Sequence, residues 1–142
     1  MISRDFNITQ YTASQTASRS NILEQFTPPK TVIEKLELLH KTMVVPLLDN
    51  LKGDLSISSA YRCTTLNALI KGAVGSQHCK GESVDLIYYE KGQKVNFKLY
   101  DKIKELGLPF DQLIKEYGDS NNPSWIHISF SDKNRRQELI IR

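Results

Sequence analysis

Residues 76–86 read SQHCKGESVDL, and the fold turns on what this stretch is. His78 and Asp85 are both potential metal ligands, with six residues between them, Gly81 included. SVDLIYY, beginning at Ser83, has the β-branched and aromatic composition of a strand. The spacing alone fits either a metal site or an ordinary turn entering a strand. In the second case His78 caps the turn and Asp85 pairs with a lysine.

Working outward, DLSISSAYR (54–62) reads as a strand and TTLNALIKG (64–72) as a helix capped by Thr64 or Thr65 and stopped at Gly72. The clearest helix follows TPPK: Val32, Leu36, Leu39, Met43, Leu47 and Leu51 fall three or four apart and make one apolar stripe. Pro28 and Pro29 suit its first turn, and Pro46 predicts a kink. His40 lies within this helix and reads as a surface or boundary residue. Residues 1–27 are rich in Ser and Thr, with caps expected at Thr12 and Ser14, and read as an arm of short helical turns over a larger core. Downstream, Val95, Leu99, Ile103 and Leu106 share one face of a helix ending at Gly107. FDQLIKEY (110–117) and SWIHISF (124–130) read as strands around the loop GDSNNP, and RRQELIIR (135–142) as a last edge strand. Helices come mostly first and neighbouring strands are joined by a turn. The fold class is therefore α+β, a small, mainly antiparallel sheet with helices packed on it, in one domain spanning 1–142.

The 142 residues are 39% hydrophobic and 25% charged, an ordinary globular composition. A net charge of +3 with the cations scattered among acids gives no basic stripe, which argues against nucleic acid as a partner. No run is long enough to span a membrane, and the start MISRDFNITQ lacks the layout of a secretory signal, so the expectation is synthesis in the cytoplasm. Cys63 and Cys79 form no CxxC pair and read as inert reduced thiols. A monomer is expected.

Alternation along SWIHISF puts Trp125, His127 and Ser129 on one face and Ile126, Ile128 and Phe130 on the other, which is the core face. His127 then lies on the more accessible side. His78, Asp85 and His127 together offer two imidazoles and one carboxylate, the donor set of a catalytic zinc with one position left open. The same three residues also suit a turn cap, a lysine partner and a backbone-bonded histidine.

SSAYRCTTLNALIKGAVGSQHCKGESVDL, FDQLIKE, WIHISF and NRRQ, in that order, resemble the zinc D-Ala-D-Ala carboxypeptidases and L-alanyl-D-glutamate endopeptidases of bacterial peptidoglycan, which share a fold with the hedgehog signalling domain. The family elements matched are S-x-Y-R, L-N and S-x-H-x-x-G-x-A-x-D, and the helix after residue 28 resembles its phage-like or mobile-element-like branch. The resemblance implies that His78, Asp85 and His127 hold zinc, that Arg62 holds and polarises the substrate, and that Ser76 meets the peptide's end. Its implied substrate is a peptidoglycan stem peptide, reached if the protein is released or exported to the wall. Two positions depart from the pattern. Ser83 stands where the family has alanine, and Ser124 stands where many members carry an acid three residues before the last histidine.

Another carboxylate must then serve as general base, and Glu116 or Asp111 supplies it. If FDQLIKEY pairs antiparallel with SWIHISF, one register sets Glu116 opposite His127 and the next sets Lys115 there. Distance and the resemblance favour Glu116, with Asp111 as a supporting or turn residue. The alternatives to a peptidase are a catalytically silent, zinc-stabilised module and a wall-binding component of a phage particle.

Overall fold

A computed structural model describes residues 1–142. The apolar stripe folds as a continuous run from Lys30 to Asn50: α3 (Lys30–Leu39), one wide π turn (His40–Val44) and α4 (Val45–Asn50). Pro46 sits in the first turn of α4. A proline inside a helix lacks one N–H and crowds the carbonyl four residues back. The wide turn just before it is how this helix absorbs that disturbance. Leu36, Leu39, Met43 and Leu47 are fully buried, as the stripe predicts. Pro29 is the extended N-cap residue rather than part of the first turn.

The strands are β1 (Asp54–Ser59), β2 (Ser83–Glu90), β3 (Gln93–Lys94), β4 (Gln112–Asp119), β5 (Asn122–Ser129) and β6 (Gln137–Ile141). They form one sheet in the order β1-β2-β5-β4-β6, with β3 turning back on β2. All pairings are antiparallel except β4 with β6. The loop expected at GDSNNP is instead mostly strand: pairing runs to Asp119 opposite Asn122, leaving a two-residue turn. Between the strands lie α5 (Thr64–Leu69), α6 (Gln77–Lys80) and α7 (Asn96–Glu105). Leu99 and Ile103 of α7, which packs on β5, share the core with Ile126 and Ile128. The N-cap of α5 is Cys63, whose Sγ accepts the Leu66 N–H at 3.4 Å, one residue before the expected threonines. No helix is long and apolar enough to cross a membrane.

Residues 1–27 do more than lie over the core. They form α1 (Ile8–Thr12), α2 (Gln15–Arg19) and a 3-10 turn (Leu23–Phe26), and Ile2, Tyr11, Ala17 and Ile22 join the one cluster of 25 buried residues. Asn7 and Ser14 cap the two helices, while Thr12 lies inside α1. His40 corrects the surface assignment, since it is 2% exposed. Its Nε2–H donates to the Arg4 carbonyl at 2.8 Å, and its Nδ1 accepts from Tyr11 Oη at 2.6 Å. The arm covers this imidazole, and helical period alone could not reveal that cover. Gln25, also fully buried, bridges the arm to the segment after β1: Nε2 donates to the Thr12 and Tyr61 carbonyls, and Oε1 accepts the Cys63 N–H.

Candidate metal centre

The site begins as a row across the sheet. Ser59 on β1 faces Asp85 on β2, Asp85 faces His127 on β5, and His127 faces Ile114 on β4. Residues directly opposite in a ladder project to the same face, so Asp85 and His127 are neighbours by register. His78 arrives from outside the sheet on α6, a single helical turn. Ser76 caps that turn by accepting the His78 N–H at 3.2 Å. Gly81 ends it with φ +77°, and a Cβ there would lie 2.8 Å from the Val32 carbonyl. Glycine therefore serves both the left-handed turn and the close approach of α6 to α3.

Two reciprocal bonds tie α6 to the segment after β1. The Arg62 N–H donates to the His78 carbonyl at 3.1 Å, and His78 Nδ1–H donates to the Ala60 carbonyl at 2.6 Å. The second bond fixes the tautomer and leaves the Nε2 lone pair for a ligand, the usual outer support of a metal-binding histidine. That Nε2 lies 3.4 Å from Asp85 Oδ1, and His127 Nδ1 lies 2.9 Å from the same oxygen. One donor atom from each residue falls within 4.8 Å of the others, and all three residues are buried. A tetrahedral ion with bonds of about 2.0–2.1 Å needs donors roughly 3.3 Å apart, so the arrangement fits a divalent metal such as zinc. Burial raises the Asp85 carboxyl, but the hydrogen bond from His127 and the adjacent His78 imidazole outweigh this and hold it down to about 2.

His127 is only 7% exposed, so its face is less accessible than alternation implied. Glu116 lies neither opposite His127 nor on the other face. The register is shifted by two residues from the favoured expectation, and Glu116 pairs with Trp125. That shift preserves the face. Glu116 Oε1 remains 3.6 Å from His127 Nδ1, and Oε2 accepts Trp125 Nε1–H at 3.2 Å. Burial, followed by the nearby Asp85 charge, pushes the Glu116 carboxyl above its ordinary value. Ser124 falls on the opposite face of β5 from Trp125 and His127 by alternation. Its hydroxyl lies near Gly118.

Asp111 is elsewhere. Its fully buried carboxylate accepts from Arg135 N, Nε and Nη2 at 2.8–2.9 Å, from Gln77 Nε2 at 2.9 Å and from Ser131 Oγ at 3.0 Å. The Arg135 guanidinium holds it well below the usual carboxylate range. Gln77 is the residue before His78, so FDQLI and NRRQ meet in a clamp that supports α6. The sequence offered both motifs without any sign of this pairing, and Gln77 carried no signal at all.

A groove of about 740 Å³ runs over the cluster, lined by Arg62, Ser76, Glu116, Trp125 and Arg135 among others. The Arg62 Nε is buried with no partner, while Nη2 reaches Ser76 Oγ at 3.4 Å. Cys79 is half-buried, outside the ligand cluster, and its thiol is pushed up by burial.

A mixed sheet carrying a histidine and an aspartate, joined by a second histidine from α6 under an open groove, defines the framework of a metal-dependent hydrolase. The sequence pattern of the Peptidase M15 family matches residues 4–129, and the chain belongs to that family of metallopeptidases. No curated protein matches it.

Proposed function

We propose that the protein is a zinc-dependent peptidase that hydrolyses stem peptides of peptidoglycan, acting on the wall once released or exported. The observation that carries this reading is the convergence of His78, Asp85 and His127 within 4.8 Å beside a half-buried carboxylate in the same groove. When bound, zinc supplies Lewis acidity, which makes water nucleophilic near neutral pH and draws charge from a carbonyl oxygen.

The chain's own groups do the rest. Glu116, its carboxyl raised by burial, takes the proton of the attacking water and returns it to the leaving amine. Trp125 holds one of its oxygens in place. Arg62 turns a planar fork of donors toward a substrate carboxylate or the oxyanion forming at the scissile carbonyl. Ser76 Oγ accepts from His78 N–H and Arg62 Nη2, which leaves its O–H free to donate to the peptide's end.

Muropeptide digestion with the zinc-loaded protein tests this, by release of D-alanine or scission of an L-Ala-D-Glu bond. Glu116→Gln is expected to lower turnover by about 100-fold or more while zinc affinity stays within about threefold. A second reading, a module that keeps its ligands without turnover, draws on Ser124 in place of an acid. Full zinc occupancy with no cleavage of any muropeptide favours that reading and ends the first.

A further inference from the structure

The groove does not end at Arg62. A second cavity of about 450 Å³ opens beyond that guanidinium and shares Arg62 and Ile70 with the first. One wall is residues 13–16, the turn after α1 and the start of α2, and the other is the end of β1, Ile57 to Ser59.

β1 is an edge strand, and the N-terminal arm hydrogen-bonds its outer edge at one point and the chain just beyond it at another. The Ile2 N–H donates to the Leu55 carbonyl at 3.3 Å, and the Tyr61 N–H donates to the Tyr11 carbonyl at 2.9 Å. The phase of the ladder says what lies between. Tyr88 turns its N–H to Asn96 and its carbonyl to the Val95 N–H, away from β1. Leu55 and Ile57, opposite Tyr88 and Leu86, therefore turn their main-chain groups outward. The arm meets the Leu55 carbonyl, whereas the main-chain groups of Ile57 have no partner from the arm and lie on the cavity side. A bulge between Ile57 and Ser59 bends the strand here, and Ser59 lies directly across from Asp85.

An uncovered strand edge is a template for another strand. One bounded at both ends by its own chain admits only a short segment. The cavity lining contains no carboxylate and no cation besides Arg62, so it suits uncharged main chain better than an ionic group.

We propose that this gap binds the substrate peptide in extended form, as a short added strand hydrogen-bonded to Ile57, with the chain continuing past Arg62 to the metal centre. The choice of a stem peptide as occupant rests on the peptidase reading above. The gap thereby selects longer peptides over a bare dipeptide.

The test is an NMR titration of the zinc-loaded, full-length Glu116→Gln protein with D-Ala-D-Ala, a stem tetrapeptide, a tetrapeptide with one amide replaced by an ester, and the peptide-free wall disaccharide. The tetrapeptide is expected to shift the Ile57 amide and to bind at least about 10-fold tighter than the dipeptide, as two main-chain hydrogen bonds would give. Thr16→Trp, which fills the cavity from the arm side, should bring that ratio close to one. The ester should lose most of the gain on the unaltered cavity, a measurement that stands even if Thr16→Trp folds poorly. Equal affinity for dipeptide and tetrapeptide with the Ile57 amide unmoved overturns the proposal, as does a shift of that amide by the disaccharide alone. Failure of the peptidase reading looks different: the wild-type protein cleaves nothing, while the length-dependent binding and the Ile57 shift persist and uphold the docking edge.

Discussion

Asp111→Asn probes the support of the candidate site without touching a ligand. The wild-type carboxylate accepts five hydrogen bonds at full burial. Asparagine keeps one acceptor oxygen, which can still serve Arg135 N and Nε. It turns an NH₂ toward Gln77 Nε2, Ser131 Oγ and Arg135 Nη2, all of which were donating to the second carboxylate oxygen. Losing two hydrogen bonds to a buried charged group costs about 3 kcal/mol. The Arg135 side chain is 41% exposed and can turn to water, so the ion pair itself is left out of that figure. For a chain of this size each kcal/mol moves the melting point by roughly 2–4 °C, and the expected fall is about 10 °C.

Asp111→Asn should also weaken zinc binding, by about 10-fold, because Gln77 is the tether that holds the turn bearing His78. Circular dichroism melts and competition with a chromophoric chelator measure the two effects. The pH dependence has a definite sign. Asp111 has a depressed folded pKa. Its stabilisation is fully present above the unfolded value of about 4 and is lost as the pH falls below that, through the folded pKa. The variant should therefore lose less stability than the wild type between about pH 4 and pH 2. A variant that melts within a degree or two of wild type, with unchanged zinc affinity, refutes the clamp.

Ser83 has a fully buried Oγ with no partner, so Ser83→Ala should stabilise the fold by about 1 kcal/mol in urea titrations. A lower midpoint would mean that this hydroxyl is bonded after all. Tyr11→Phe strips His40 Nδ1 of its buried donor and should cost about 2 kcal/mol in the same assay, whereas an unchanged midpoint would deny that this bond anchors the arm. Arg62→Lys replaces a planar fork by a point charge, and kcat/KM on muropeptides should fall about 10- to 100-fold with little change in melting point. Equal activity would remove Arg62 from the proposed mechanism.

What the sequence determined was local and periodic. The stripe from Val32 to Leu47 is set by the 3.6-residue turn, and Trp125 and His127 share a face because strand side chains alternate. The candidate donor types and the match in order of S-x-Y-R, S-x-H-x-x-G and WIHISF were also legible, and the structure brings donor atoms of His78, Asp85 and His127 within 4.8 Å of one another. Tertiary structure decided everything that depends on which distant groups meet. Whether Glu116, Lys115 or Ile114 faces His127 depends on the β4–β5 turn, where pairing continues to Asp119 and Asn122. A register change of two leaves every side chain on its face, so alternation could not distinguish the favoured register from the observed one. His40 is interior because the arm returns over the π turn, and Asp111 is a clamp because a loop 20 residues further on brings Ser131 and Arg135 to it. The periods of helix and strand fix which face a residue occupies, but only the folded chain fixes what lies against that face.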